Sequence, residues 1–435
     1  MTQLKWVSLV VILILSLTVS GCAPTQAPEE PAVEATEKAA PEAEKIELVL
    51  WEQSAEWRID AQQATIDDFE ADHPNVTIKI ESFPFVEYQT KINSSMQAGT
   101  APDIVTVVGQ WAPPLIEAGL LEPIPNEVIT ADTLQSDYWP GAASEAIYNG
   151  QVYMIPNHIT MGTGGLIYNE DLLVEAGISV PPKFETWEEF MEAASQCAKF
   201  DEDGVMTQAG YSAHGVIDSF TGTAFIMQQG ADIITDGKTA FCDERGVAAL
   251  QTYQDIFLKY KADDPEFPGG LDAFPQGRSC ILNIGAWAGK AAEQQNPDMK
   301  VVYGDPPPST NPDYPPYAQA DTQWQFIVPK SGENHEMVWE FLKHYLKPEQ
   351  FAKRVPFDGE VPSLKEAALE FSDDPELDAY VWSAEYALWS GYKVDREKWN
   401  TTMNTALELL ARGELTPEEA LDGLCEDLDL VLAGQ

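Results

Sequence analysis

Residue spacings that would support catalysis or metal binding are incomplete in this sequence of 435 residues. Gly210-Tyr-Ser212-Ala-His214 lacks the second glycine of a nucleophile elbow, and segment 162–167 lacks the third glycine of a dinucleotide-binding loop. No complete phosphate-binding loop and no Cys-x-x-Cys occur, and the five histidines never pair four residues apart. We therefore expect no enzyme active site, no cofactor and no metal site. A glycosidase, which needs only two suitable carboxylates, is an alternative that the sequence leaves open.

Aromatic and polar side chains at predicted strand ends are suited to binding rather than to catalysis. Glu52 lies just past a predicted strand at 46–51, and Gln110 and Trp111 lie just past another at 104–108. Ligand pockets combine apolar or aromatic walls with a few placed polar groups, so aromatic side chains beside a carboxylate or an amide suit a binding site. We expect these three residues to contact a ligand. For Trp111, a role as cover for the neighbouring prolines is the alternative.

The order of the predicted elements brings these strand ends to one edge of a sheet. Strands alternate with amphipathic helices, which is typical of a parallel sheet with crossover helices. Thr186-Trp-Glu-Glu189 and Thr416-Pro-Glu-Glu419 are capping boxes that begin two more helices. The fold class is therefore α/β. The predicted helices are 59–69, 247–260 and 337–346, and the remaining predicted strands are 76–81, 280–284, 301–303 and 325–328.

The N-terminus predicts export and a lipid anchor. The apolar run Trp6–Val19 is too short to span a hydrocarbon layer of about 30 Å, so it indicates a signal peptide. Val19-Ser-Gly-Cys22 resembles a bacterial lipobox, which implies acylation of Cys22; an ordinary signal peptide is the alternative. Segment 23–45 holds seven Ala, four Pro and six Glu, a composition typical of a flexible tether. We expect a signal peptide at 1–21, then a lipidated cysteine and linker at 22–45, outside the cytoplasmic membrane.

Charge and cysteine content limit the partners and the covalent structure. The 25 basic and 71 acidic residues give a net charge of −46, which excludes a nucleic-acid partner and disfavours anionic ligands. Four cysteines follow Cys22, and three pairings are possible if all are oxidised. Buried free thiols are the alternative. The four are Cys197, Cys242, Cys280 and Cys425.

Several stretches, in a common order, resemble the carbohydrate-binding solute-binding proteins of ABC importers, the group that includes maltose-binding protein. Each stretch is short, but together they cover nearly the whole chain after the tether. They include His73-Pro-Asn-Val76, Gly99-Thr-Ala-Pro-Asp103, Glu117-Ala-Gly-Leu-Leu121, Gly150-Gln-Val-Tyr153, Tyr168-Asn169, Phe274-Pro-Gln-Gly277, Gly285-Ala-Trp287 and Gly413–Ala420.

The resemblance implies the type II periplasmic-binding fold, in which two lobes, each a mainly parallel sheet flanked by helices, close over a ligand at a hinge. Carried onto this chain, one lobe takes 46–156 and returns at 316–362. The other takes 157–315 and 363–435 with the C-terminal helices. A monomer is expected.

The resemblance also implies further ligand contacts. Trp287 matches the segment where an aromatic side chain stacks on the sugar, although packing under the next helix is the alternative. Asp321 and Trp324 stand where the family often has a glycine pair, which this chain lacks. His158 follows a strand that enters the hinge, where an exposed loop is the alternative. Tyr392 and Trp399 lie in a segment that contributes aromatic residues in relatives.

These expectations combine into one leading hypothesis. The protein captures a neutral di- or oligosaccharide and delivers it to the permease subunits of an ABC importer, while the lipid on Cys22 holds it at the membrane. A transport protein for a cationic solute such as a polyamine is the runner-up, with Glu52, Asp321 and the tryptophans as a cation–π cage. A surface glycosidase is the third alternative.

Overall fold

Two five-stranded sheets organise the chain. The computed structural model describes residues 44–159, 163–215, 218–319, 324–388 and 396–434. The predicted signal peptide, Cys22 and nearly all of the tether lie outside these ranges. The strands are β1 Ile46–Gln53, β2 Val76–Phe83, β3 Ile104–Val108, β4 Ile147–Tyr148, β5 Gln151–Val152, β6 Ile155–Pro156, β7 His158–Ile159, β8 Leu166–Asn169, β9 Lys199–Phe200, β10 Met206–Ser212, β11 Ile234–Thr235, β12 Lys238–Thr239, β13 Ser279–Asn283, β14 Val301–Gly304, β15 Ala318–Gln319, β16 Trp324–Ile327, β17 Val361–Pro362 and β18 Ala387–Leu388.

Helices cover both sheets. Short 3-10 helices at Gly109–Trp111 and Ala384–Tyr386 supplement the α-helices. The α-helices are α1 Glu56–Asp72, α2 Phe85–Ala98, α3 Ala112–Glu117, α4 Ala131–Asp137, α5 Pro140–Ala146, α6 Glu170–Glu175, α7 Trp187–Cys197, α8 Asp218–Gln228, α9 Glu244–Leu258, α10 Gly270–Ala273, α11 Trp287–Gln295, α12 His335–Tyr345, α13 Pro348–Asp358, α14 Lys365–Leu369, α15 Asp378–Ser383, α16 Arg396–Ala411 and α17 Pro417–Leu432.

Sheet I has the strand order β2-β1-β3-β16-β6, and sheet II has the order β14-β8-β13-β10-β9. In sheet I, β1 is parallel to both β2 and β3, while β16 runs antiparallel to β3 and β6. In sheet II, only the β10–β13 pair is parallel. Both sheets are thus mixed, and the expectation of mainly parallel sheets is wrong for sheet II. Strands β8 and β16 are each the first strand of their sheet after the chain crosses from the other one, and each runs antiparallel to both of its neighbours.

Each sheet has its own hydrophobic core, and we call each sheet with its core helices a lobe. Lobe I packs sheet I against α1–α4 and α12 through residues such as Phe69, Tyr88 and Phe341. Lobe II packs sheet II against α6–α9, α16 and α17 through residues such as Phe190 and Leu407. A third cluster joins side chains from both lobes, among them Trp139, Ile167, Leu282 and Val361, where the chain crosses between the sheets. The predicted α/β fold with two lobes is confirmed.

The chain passes between the sheets three times. It leaves sheet I through β7, returns through β15 to β16, and leaves again through β17. Strands β7 and β17 pair antiparallel, with Pro362 opposite His158 and Val361 opposite Ile159. Two crossings are therefore bonded to each other, which is the arrangement expected of a hinge.

Threonine residues identified in the sequence cap the N-termini of α7 and α17. Thr416 accepts a hydrogen bond from the Glu419 N–H, and the Glu419 carboxylate accepts one from the Thr416 N–H, so the predicted capping box of α17 is complete. At α7, Thr186 accepts from the Glu189 N–H. There the Glu189 carboxylate accepts from Glu185 instead, one residue earlier than a capping box requires.

Both disulfides lie in lobe II. Cys197 at the end of α7 is bonded to Cys280 in β13, and Cys242, just before α9, is bonded to Cys425 in α17. All four cysteines are therefore oxidised, and one of the three possible pairings is selected. The alternative of buried free thiols is wrong. The Cα atoms of the two pairs are 6.5 and 6.0 Å apart, which is a separation that a disulfide bond can bridge.

Within the described ranges, no helix combines the length and the apolar character needed to cross a membrane.

Candidate functional site

An aromatic cluster lies at the edge of sheet I where strands β1 and β3 end. Strands β1 and β3 are parallel, so both end at this edge, and the antiparallel strand β16 begins there with Trp324 opposite Val108. The Trp111 and Trp324 rings lie 6.0 Å apart, edge to face. Phe85, at the start of α2, contacts both rings at 5.7 and 6.3 Å and is 52% exposed. The structure thus brings together two of the predicted residues, Trp111 and Trp324, and adds Phe85.

Arg58 fills the space between two tryptophans of lobe I. Its guanidinium carbon lies 4.5 Å from the ring centres of both Trp57 and Trp324. Its Nη2 donates to Glu360 Oε1 at 3.0 Å. The side chain is buried, and Nε and Nη1 have no hydrogen-bond partner among the described residues. The site therefore contains a fixed cation with two unused donors.

A tryptophan from each lobe meets at the boundary between them. Trp57, near the start of α1 in lobe I, stacks on Trp287, the first residue of α11, which follows β13 of sheet II. Their ring centres are 6.5 Å apart and their planes differ by 18°. The indole Nε1 of Trp287 is buried without a partner in the described part of the chain. Two nearly parallel indole rings from opposite lobes therefore lie next to each other.

Glu52 is buried at the end of β1 and accepts hydrogen bonds from neighbouring groups of lobe I. It is completely buried; its Oε1 accepts from the Gln53 N–H and the Thr106 hydroxyl, both at 2.8 Å, and its Oε2 accepts from Gln62 at 3.1 Å. Burial raises the pKa of Glu52, and the nearby Arg58 charge opposes this rise. Both carboxylate oxygens thus bind groups of lobe I. The side chain therefore points into lobe I, since strand-end position does not decide which way a side chain points, and its contact with a ligand stays a prediction.

A buried charge network lies at the paired crossing strands. His158 Nε2 is 3.1 Å from Asp358 Oδ2, and burial lowers the pKa of His158, so its ring is neutral at pH 7. Burial is the main cause that raises the pKa of Asp358 well above its ordinary value, and the negative charge of Glu360 is the second. Arg58 and Arg354 supply two positive charges to the same network. His158 is therefore buried in the paired crossing strands, so the alternative of an exposed loop is wrong, and its contact with a ligand stays a prediction.

His158, Asp358 and Glu360 each offer an atom within 4.8 Å of the others, the spacing of a metal site. Two guanidinium groups already supply positive charge, however, and burial favours the neutral form of Asp358, so a divalent cation would leave this buried cluster with excess positive charge. The arrangement is better described as an ion-pair network than as a metal site.

The remaining predicted residues differ in location: some lie at the sheet edge, one lies in a core, and others are outside the described ranges. Gln110 and Trp111 form part of a 3-10 helix after β3 and are partly exposed at the sheet edge. Trp399 is 1% exposed and packs in the core of lobe II, so it is a core residue rather than a ligand platform. Asp321 and Tyr392 lie outside the described residues.

Sequence reasoning missed Trp57, Arg58, Phe85 and Glu360. Trp57 and Arg58 come four and five residues after the end of β1, which is the only local signal that could have indicated them. Glu360 is separated from Arg58 by 302 residues, so no local pattern relates the two.

The pKa of Asp358 leads to a prediction for stability against pH. Between its ordinary value of 3.8 and its raised value, the folded protein holds a proton that the unfolded chain has released, so stability falls as pH rises through this window. Asp358→Asn removes this dependence. We expect the unfolding free energy of wild type minus that of the variant to fall with rising pH, by about 1.4 kcal/mol for each unit of pKa elevation.

Urea unfolding from about pH 2 to 8 measures this difference and includes the window below pH 3.8 in which the control responds. Asp68→Asn is the matched control with opposite sign, because hydrogen bonds from Lys353 and Gln350 lower the pKa of Asp68. Stability from that exposed pair is present above pH 3.8 and is lost as pH falls, with an amplitude below about 1 kcal/mol. A wild-type-minus-Asp358→Asn difference that does not change with pH would show that Asp358 ionises normally.

Comparisons with known proteins agree with this geometry. Residues 64–380 match the family model described as bacterial extracellular solute-binding protein. The maltotriose-binding protein of Pyrococcus abyssi is 25% identical over 338 residues, which cover 76% of this chain and 68% of the relative. The galactooligosaccharide-binding protein of Bacillus subtilis is 23% identical over 95% of this chain and 93% of its own. An ABC transporter solute-binding protein from Thermotoga lettingae, solved with α-D-tagatose, has a TM-score of 0.73 at 22% identity, covering 89% of this chain and all of that one.

Proposed function

The chain belongs to the bacterial extracellular solute-binding protein family, and we propose that it captures a neutral di- or oligosaccharide and delivers it to an ABC permease. The observation that carries the proposal is the facing pair Trp57 and Trp287, one from each lobe, beside the exposed aromatic edge of sheet I. Aromatic faces of this kind bind the C–H faces of sugars. The family implies a location outside the cytoplasmic membrane; the lipid anchor at Cys22 is part of the proposal.

The same contacts argue against a cationic solute. A cation–π cage needs an open aromatic face and a carboxylate that is free to pair. Here Arg58 already covers Trp324, and the oxygens of Glu52 already accept three hydrogen bonds. A polyamine would have to displace a guanidinium that is held by Glu360.

The proposal also divides the chain into its moving parts. We infer that 46–156 and 316–362 move as one lobe, and that 157–315 moves with 363–435 as the other. The membership of β1–β3, β6 and β16 in sheet I and of β8–β10, β13 and β14 in sheet II supports this division. A ligand favours closure only as far as it binds the closed form more tightly than the open form.

A thermal-shift and calorimetry screen tests the function. A neutral sugar at 100 times its Kd should stabilise the protein by about 2.7 kcal/mol and raise the melting temperature. Spermidine and putrescine form the second arm, and chromogenic glycosides form the third. A melting temperature that rises with polyamines but with none of the sugars would replace the sugar proposal, and turnover of a glycoside at stoichiometric protein would show an enzyme.

A further inference from the structure

The two stacked indoles leave little of their facing surfaces available in this conformation. Trp57 is 8% exposed, and Trp287 is partly buried against it, so each covers the other in this conformation. Ring atoms in van der Waals contact are about 3.5–4 Å apart, so a sugar ring between two indoles needs roughly 7–8 Å between the planes. The ring centres are 6.5 Å apart, and the separation of two nearly parallel planes cannot exceed the distance between their centres, so the present gap is too narrow for a sugar ring. The lobes would therefore have to separate about the β7–β17 crossing before one ring could enter between the two indoles.

Unused hydrogen-bond donors surround the same place. Nε1 of Trp287 and Nε and Nη1 of Arg58 are buried without partners among the described residues, and Arg58 lies against the Trp57 ring. Buried donors without acceptors are costly, so such groups indicate a missing acceptor. The hydroxyl and ring oxygens at the edge of a sugar supply acceptors while its faces remain apolar.

The other tryptophans of lobe I are less available for this role. Arg58 lies over Trp324, and Tyr88 stacks on the same ring. Phe85 makes tilted and edge-to-face contacts with Trp111 and Trp324, and Tyr88 meets Trp111 edge to face. Among the described residues, the stacked indole partner of Trp287 is Trp57. The Arg58–Glu360 ion pair fixes the residue next to Trp57 to the hinge segment, which holds the start of α1 in place.

We propose that Trp57 and Trp287 form a clamp that grips one pyranose ring from both faces, and that this clamp selects β-linked units whose substituents are all equatorial. This inference rests on the proposed sugar-binding function. A ring gripped on one face tolerates an axial oxygen on the other, but a ring gripped on both faces does not. In β-1,4-linked glucose or xylose every oxygen leaves the ring at its edge. In an α-1,4-linked glucan the axial glycosidic oxygen carries the chain out through one face, where an indole would lie.

The methyl β-glycoside of cellobiose and the methyl α-glycoside of maltose, called cellobiose and maltose below, separate the two cases. Each contains two glucose units, and both anomeric oxygens are equatorial in the first and axial in the second. We would measure both by titration calorimetry with the wild-type chain, Trp57→Ala and Trp57→Leu. The control variant is Trp382→Ala, which removes a partly exposed tryptophan whose described ring contact is with Tyr386. We expect wild type to bind cellobiose at least tenfold more tightly than maltose. Trp57→Ala should weaken cellobiose binding at least tenfold, and the control should change it less than twofold.

Trp57→Leu guards against a folding defect, because leucine fills apolar space without a flat face; if Trp57→Ala does not fold, the same tenfold loss is expected of Trp57→Leu. The clamp is overturned if maltose binds as tightly as cellobiose, or if the folded Trp57 variants bind cellobiose like wild type. If the clamp fails in either way but another sugar raises the melting temperature, the proposed sugar-binding function is still supported. If no sugar binds at all, the clamp and the proposed function fail together.

Discussion

Replacing Glu360 with leucine is expected to lower the free energy of unfolding by about 3–5 kcal/mol. Glu360 pairs with Arg58 at 3.0 Å, and their side chains are only 1% and 6% exposed. Removing the carboxylate leaves the guanidinium buried without its ion-pair partner, and the desolvation of that charge is no longer offset. The effect is large because Arg58 already has two donors without partners in the described structure.

A double-mutant cycle with Arg58→Met identifies the cause. Buried ion pairs are often replaceable by apolar residues at little cost, so the double variant Arg58→Met with Glu360→Leu should be more stable than Glu360→Leu alone. Urea unfolding of all four proteins gives the coupling energy. If the two single losses simply add, Arg58 and Glu360 do not act as a pair, and the ion pair is not what connects α1 to the hinge.

The same variant has a consequence for ligand binding. Arg58 lies on both Trp57 and Trp324, so loss of its anchor changes the position of two aromatic rings at once. We therefore expect the stability effect and a loss of sugar affinity to occur together in Glu360→Leu. One ion pair therefore connects the segment that begins β17 with the aromatic rings of lobe I.

The sequence predicted the elements of the fold well because their signals are local. The alternation in 76–81 and the apolar run in 104–108 correspond to β2 and β3, and the capping residue Thr416 begins α17. These signals depend on neighbours within a few residues, where pattern and propensity are sufficient. The direction of β8 and β16 was missed because it depends on which lobe each strand enters from.

Positions at the sheet edge were predicted better than side-chain roles. Glu52, Gln110 and Trp111 all lie at the carboxyl ends of the predicted strands, but Glu52 points inward to Thr106 and Gln62. Trp57 was missed because it lies on a helix rather than at a strand end, and its partner Trp287 is in the other lobe. Tertiary contacts between residues that are distant in sequence decide these roles, and one sequence contains no local signal of them.

Removing the Cys242–Cys425 disulfide is expected to cost about 2–5 kcal/mol of stability. The two residues are 183 positions apart, and a crosslink that closes so long a loop strongly restricts the unfolded chain. The bond joins the segment before α9 to α17, and α17 packs on α9 and α16 in the core of lobe II. The variant Cys242→Ala with Cys425→Ala should therefore unfold at lower urea, and the loss should begin in lobe II.

Hydrogen exchange distinguishes this local effect from general destabilisation. Amides of α9 and α17 should lose protection first, while β1 and β3 of sheet I retain theirs, because both disulfides and their helices belong to lobe II. The matched variant Cys197→Ala with Cys280→Ala removes the shorter crosslink, 83 positions apart, and loosens α7 from β13 instead. A thiol titration of the unfolded, unreduced protein should detect none of these four cysteines; four free thiols, or an unchanged unfolding curve for Cys242→Ala with Cys425→Ala, would show that lobe II is held by its helix packing alone.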